Sequence, residues 1–202
     1  MSARLLFLAI VSAFAWLPVA GADPVTDLFA ANVPVSDQSA ETRSTALRDA
    51  MAQVLVKITG SRSVLETVEG RDLIESASRF LQQYRYESIR PVPVDPVAPR
   101  LALYAEFDGS ALERRLRAAG IALWGRERPM TLVWLALSDS TERRLVGSGA
   151  QAPVANAVRT AAARRGLPVK LPLLDTEDTT RVSFMDVWGV FEEPLLAAAA
   201  RY

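Results

Sequence analysis

The 202-residue chain contains no cysteine and no histidine. The first absence excludes disulfides, thiol nucleophiles and lipid attachment at an N-terminal cysteine, and the two together exclude the usual Cys/His zinc sites. A Ser-His-Asp triad is excluded as well. Lysine is almost missing: Lys57 and Lys170 are the only two, so a Ser-Lys dyad would have to recruit one of them, and no spacing brings a serine to either. The 23 basic residues are balanced by 23 acidic ones. Such a chain has no broad field to gather nucleic acid or anionic lipid. Beyond Asp23 every long apolar stretch is broken by charge, Pro or Gly, so no membrane span is predicted once the N-terminus is removed. Nor does any cofactor fingerprint occur, and no cofactor is predicted.

What is present begins with Arg4, an apolar run from Leu5 to Leu17, Pro18, and the small residues Ala20-Gly21-Ala22. The run is too short to cross a bilayer as a helix, and the small residues suit a signal peptidase. Residues 1–22 therefore read as a secretory signal peptide cleaved after Ala22, leaving about 180 residues for one or two small domains. With no disulfide available in an oxidising compartment, an apolar core must hold the exported chain together. Half of the residues are hydrophobic, which is enough to build one.

The first unit, residues 23–121, reads as strand, helix, helix, strand, strand, helix. Val25 to Val35 has strand character, with Pro34 suiting an edge or a strand end better than a central strand. A helix capped by Asp37 or Ser39 follows, burying Leu47, Ala50, Met51, Val54, Leu55 and Ile58 at three-and-four spacing and ending at Gly60. A second helix is predicted over Asp72 to Gln83, then strands over Tyr84 to Ile89 and Leu101 to Phe107. Between the strands, Pro91, Pro93, Pro96 and Pro99 favour an extended segment, read as a long hairpin loop in preference to a domain linker. Ser110 to Glu113 forms a capping box for a helix running to Ala119, with Gly120 as its stop. The fold class of this unit is α+β, and the turn-rich Gly125 to Pro129 is its expected boundary.

The second unit, residues 122–202, reads as part of an α/β arrangement. Met130 to Leu137 is a nearly unbroken apolar strand expected to be buried on both faces, followed by a helix over Pro153 to Arg165, Gly166 as cap, and a strand over Val169 to Leu174. Strand, helix, strand predicts a parallel crossover. Met185 to Val190 reads as a short strand or turn before a helix opening on Glu192, Glu193 and Pro194. That helix has no stop before Tyr202, so the unit is expected to be incomplete at its C-terminus.

Several tracts resemble the bacterial domain of unknown function family 2066, a set of exported proteins. They are Val33 to Asp37, Gln53 to Gly60, Ser78 to Tyr84, Leu123 to Gly125, Arg128-Pro129, Val133 to Ala136, Arg165 to Pro168, Leu171 to Asp175 and Asp186 to Gly189. The resemblance implies export in a Gram-negative bacterium. It carries no catalytic residues, and a further stretch of strand and helix would follow an Arg-Tyr pair like Arg201-Tyr202.

The best candidate for chemistry is the acidic cluster Asp175, Glu177 and Asp178 after the second apolar strand, with Asp186 beyond it. Carboxylates at the C-terminal end of a parallel strand can hold a hard cation or move protons. Turn-forming and helix-capping acids are the competing explanation, and the spacing favours it. Gly147-Ser148-Gly149 lacks the residues of a phosphate loop and reads as a plain connection. Trp124 and Trp188 either close the cores or stack on a partner. The arginine doublets Arg114-Arg115, Arg143-Arg144 and Arg164-Arg165 read as solvated helix faces. The residues thus point to an exported, periplasmic, non-enzymatic module that binds an envelope protein or ligand. The alternatives are a carboxylate-dependent, metal-assisted enzyme using Asp175 and Asp178, and a truncated product without independent function.

Overall fold

The computed structural model describes residues 23–24, 27–88, 101–149 and 153–202. The export signal, its cleavage point after Ala22 and the proline-rich tract 91–99 lie outside the described residues. β1 (Asp23–Pro24) is followed by β2 (Ala30–Val35), α1 (Ala40–Thr59), α2 (Val68–Glu75), β3 (Leu81–Ser88), β4 (Leu101–Phe107) and α3 (Gly109–Ala118). The N-terminal order is therefore the expected strand, helix, helix, strand, strand, helix.

β2, β4 and β3 form one antiparallel sheet in that order. Pro34 has no N–H to donate, and its strand takes an edge accordingly. Ser88 faces Leu101 at the end of the β3–β4 pair. α1 lies on this sheet. Ser39 caps it by accepting from the Thr42 N–H, and its Ala46, Leu47, Ala50, Met51, Val54, Leu55 and Ile58 are buried against Val33, Val35, Leu103, Ala105 and Phe107. Each fully buried leucine contributes roughly 2 kcal/mol over an exposed one.

Two expectations in this unit are corrected. The second helix ends at Glu75, and Leu81 to Ser88 is strand instead. The Leu-Gln-Gln-Tyr stretch has ordinary helix propensity, but pairing along the whole of β4 decides it, with a bulge between Leu81 and Gln83. The third helix is capped by Asp108, which accepts from the Ala111 N–H at 3.0 Å, two residues before the expected capping box. Ala119 is consequently exposed beyond the helix end.

The second region holds β5 (Glu127–Arg128), β6 (Thr131–Leu132), β7 (Ala136–Ser138), β8 (Arg143–Leu145), α4 (Pro153–Arg164), β9 (Val169–Lys170), α5 (Thr176–Arg181), α6 (Phe184–Trp188) and α7 (Glu192–Ala199). β6 and β9 pair in parallel with α4 between them in sequence, which is the expected crossover. The apolar run from Met130 to Leu137 is not a single buried strand, and none of its residues is fully buried. It changes partner midway: the Val133 N–H donates to Lys170 O, whereas Leu135 O accepts from the Val146 N–H and β7 continues antiparallel to β8. α4 covers part of it through Val154, Ala155 and Val158. The strand over Val169 to Leu174 shortens to two residues, and Met185 to Val190 falls in and after a helix, whose capping box joins Ser183 and Asp186.

Candidate functional site

Gly125 to Pro129, read as a turn, carries Arg128, the largest fully buried side chain among the described residues. Its five N–H groups find five carbonyls: Nε donates to Gly125 O at 2.9 Å, Nη1 to Gly166 O at 2.7 Å and Arg165 O at 3.3 Å, and Nη2 to Lys57 O at 2.6 Å and Trp124 O at 3.2 Å. No carboxylate pairs with it among the described residues. The compensating charge comes from backbone. Lys57 lies in the last turn of α1, and Arg165 and Gly166 lie just past α4, so two helix C-termini, each worth roughly half a negative charge, converge on one guanidinium. The Trp124 N–H completes the α1 cap at Ile58 O, 2.7 Å, and its ring lies 4.0 Å from the guanidinium carbon. Burial lowers the Arg128 pKa, but a guanidinium stays charged.

Two glycines make room for this latch. Gly60 (φ 73°) and Gly166 (φ 65°) both adopt the left-handed conformation, and a Cβ would stand 2.9 Å from the Trp124 ring and 2.5 Å from Arg128 Nη1 respectively. Lys57 ties in a further segment, its Nζ donating to Ala30 O at 2.7 Å, and burial lowers its pKa. No serine is among its bonded partners.

By joining the ends of α1 and α4, the latch sets the two helices side by side with a groove of about 780 Å³ between them. Ala52, Val56, Leu65, Ala162 and Leu167 supply apolar lining, and Arg62, Arg164 and Arg165 stand around it. Several other arginines of the described residues have carboxylate partners, including Arg48 with Glu75, Arg115 with Glu69 and Asp72, and Arg201 with Asp175. None of these three does, among the described residues. An apolar channel under three uncompensated cations suits a ligand that is acidic at one point and apolar along its length. The doublet Arg164-Arg165, read from sequence as a solvated face, is therefore part of the leading candidate site. Arg62 gave no signal at all, because it reaches the groove from a single turn of 3-10 helix.

The acidic cluster is brought together and fully engaged. Asp175 caps α5, accepting from the Asp178 N–H at 3.1 Å, and takes both nitrogens of Arg201 at 2.7 and 2.8 Å. That ion pair holds the Asp175 carboxyl well below the usual range. Asp178 is completely buried: Oδ2 accepts from the Leu174 N–H at 2.8 Å and from the Tyr202 hydroxyl, and Oδ1 accepts from Arg201 at 3.1 Å. Glu177 pairs with Arg181 at 3.1 Å. Asp186 is elsewhere, closing the α6 cap against Ser183. Capping accounts for Asp175 and Asp186, while Glu177 is ion-paired and Asp178 sits in a buried clamp that a substrate or cation could reach only by displacing Arg201 and Tyr202. Gly147 is buried, and the Ser148 N–H donates to Pro172 O, so that connection is packed onto the following strand end.

The two tryptophans part company. Trp124 stacks in the latch, whereas Trp188 is 57% exposed, beside Met185, Val190 and Phe191, which are exposed as well. Val190, a β-branched residue, holds φ 54° in the turn between α6 and α7.

The described residues thus define an α+β protein with an arginine-edged groove at the meeting of two helix C-termini. Residues 22–125, half of the chain, match the family described as Domain of unknown function (DUF8605), and the chain belongs to that family. This corrects the resemblance to domain of unknown function family 2066. The tracts that carried it are short and generic: Gln53 to Gly60, for instance, is the end of an amphipathic helix and its glycine cap. No curated protein and no solved structure matches the chain. No described helix is long and apolar enough to cross a membrane.

Proposed function

We propose that this protein is an exported, periplasmic binding module of a Gram-negative envelope, acting without catalysis, and that the groove between α1 and α4 is its binding surface. The observation that carries the reading is the gathering of Arg62, Arg164 and Arg165, all without ion-pair partners, around an apolar channel. All three arginines are exposed, so their charges are open to an acidic partner that also covers the apolar lining. The layout of residues 1–22 supports export. The candidate partner is an envelope protein or ligand with an acidic, apolar surface.

Because the chain lacks cysteine, Ala161→Cys places one thiol at the groove edge for a photoreactive maleimide. The labelled protein should appear in the fluid released by osmotic shock and cross-link through the groove. Joint substitution of Arg164→Glu and Arg165→Glu should abolish the cross-link without altering the circular dichroism. Retention in the cytoplasm would overturn the export reading. A cross-link indifferent to those substitutions, or none, would overturn the groove.

A further inference from the structure

Six of the eight large hydrophobic residues that stand exposed among the described residues fall between Leu173 and Leu196. They surround α6 and α7, and α7 presents a specific pattern. Glu192, Glu193, Leu196, Ala197 and Ala200 are all exposed, so the helix shows a small apolar stripe, Leu196, Ala197 and Ala200, headed by two carboxylates. Trp188, Val190 and Phe191 extend the apolar surface before the carboxylates. Neither Glu192 nor Glu193 has an ion-pair partner among the described residues.

This surface is the chemical counterpart of the groove: acidic at one end and apolar along a short helix, against an apolar channel edged by arginines. The eight residues of α7 make a rod about 12 Å long. Helices commonly bind in this way, with their apolar stripe laid in a groove and their charges fixing direction. α7 of the same chain packs on α5 and α6 and lines no part of the groove. Resting on the reading of the groove as the binding surface, we infer that its occupant is α7 of a second copy of this chain.

Such a contact is head to tail. Each copy offers one groove and one α7, so the contact propagates into a ring if the rotation closes and into an open array if it does not. The small size of the helix places the contact in the transient class, strengthened as each copy makes two.

Sedimentation velocity of the purified chain over a range of micromolar concentrations tests this. The expected result is a sedimentation coefficient that rises with concentration. Arg164→Glu with Arg165→Glu in one variant, and Glu192→Arg with Glu193→Arg in another, should each weaken association by about tenfold or more. An equimolar mixture of the two variants should assemble again, because each now meets a partner of opposite sign. That rescue separates lost complementarity from lost folding. A chain that stays monomeric throughout overturns the inference, as does association unaffected by either variant or a mixture that fails to recover. If the chain is monomeric while the groove cross-links to a different envelope protein, self-association falls and the binding-module reading stands. If the groove also cross-links to nothing, both fall.

Discussion

The two regions of the molecule solve the problem of cohesion differently. In the first, nineteen buried residues from Leu28 to Leu116 form one continuous apolar cluster around α1. In the second, the corresponding cluster has three buried residues, Val146, Ala155 and Leu171. There the structure depends on polar clamps: Arg128 on two helix ends, and Asp178 held by Leu174, Tyr202 and Arg201. The region with the thin core also leaves most of the exposed large side chains. A region that buries little of its own apolar surface has surface left for another molecule.

The comparison is most severely tested at Arg128, which belongs to both regions. Arg128→Ala leaves the buried Gly166 carbonyl and four part-buried ones without their donor and should cost on the order of 4 kcal/mol by urea denaturation. Arg128→Lys should recover only part, because an ammonium cannot replace the planar fork. Next in size, Leu55→Ala opens a cavity in the large cluster and should cost roughly 3 kcal/mol. Protection in the first region should fall with it in amide hydrogen exchange.

Tyr202→Phe removes one donor to the buried Asp178 carboxylate. About 2 kcal/mol is expected, with faster exchange at Leu174 and in α5 and little change in α1. Acid should act on the same clamp. Because Arg201 depresses the Asp175 pKa, the pair's contribution is complete above the ordinary carboxylate pKa of about 4 and is lost as the pH falls from there toward the lowered folded value. Exchange near α5 should therefore accelerate below pH ~4 before exchange in α1 does, and Arg201→Gln should flatten that dependence. The smallest effect is a gain. Val190→Gly relieves a left-handed β-branched residue that is largely exposed, and should raise stability by somewhat under about 1 kcal/mol in thermal melts.

How legible each region was follows from how it is held. α1 was legible with its buried face, its stop at Gly60 and an N-cap at Asp37 or Ser39, because local hydrogen bonding and three-and-four spacing specify a helix wherever it packs. The edge strand was betrayed by Pro34. The errors fall where a distant partner decides: β3 became strand because β4 lies beside it, and Met130 to Leu137 broke because its partner changes from Lys170 to Val146. The candidate site belongs with these. Arg62 and the Arg164-Arg165 doublet are a hundred residues apart in sequence, and neither carries a motif.

The sequence by itself determined the absence of thiol, imidazole and disulfide chemistry, the N-terminal order of elements, and the amphipathic helix on which the first core is built. These are properties of composition and short-range periodicity. Only the tertiary structure decided what Arg128 does, where the unpaired arginines meet, and that the acidic cluster is a clamp. Each of those depends on groups far apart in the chain, and a charge acquires its role only when folding fixes the carbonyl, carboxylate or open groove that it faces.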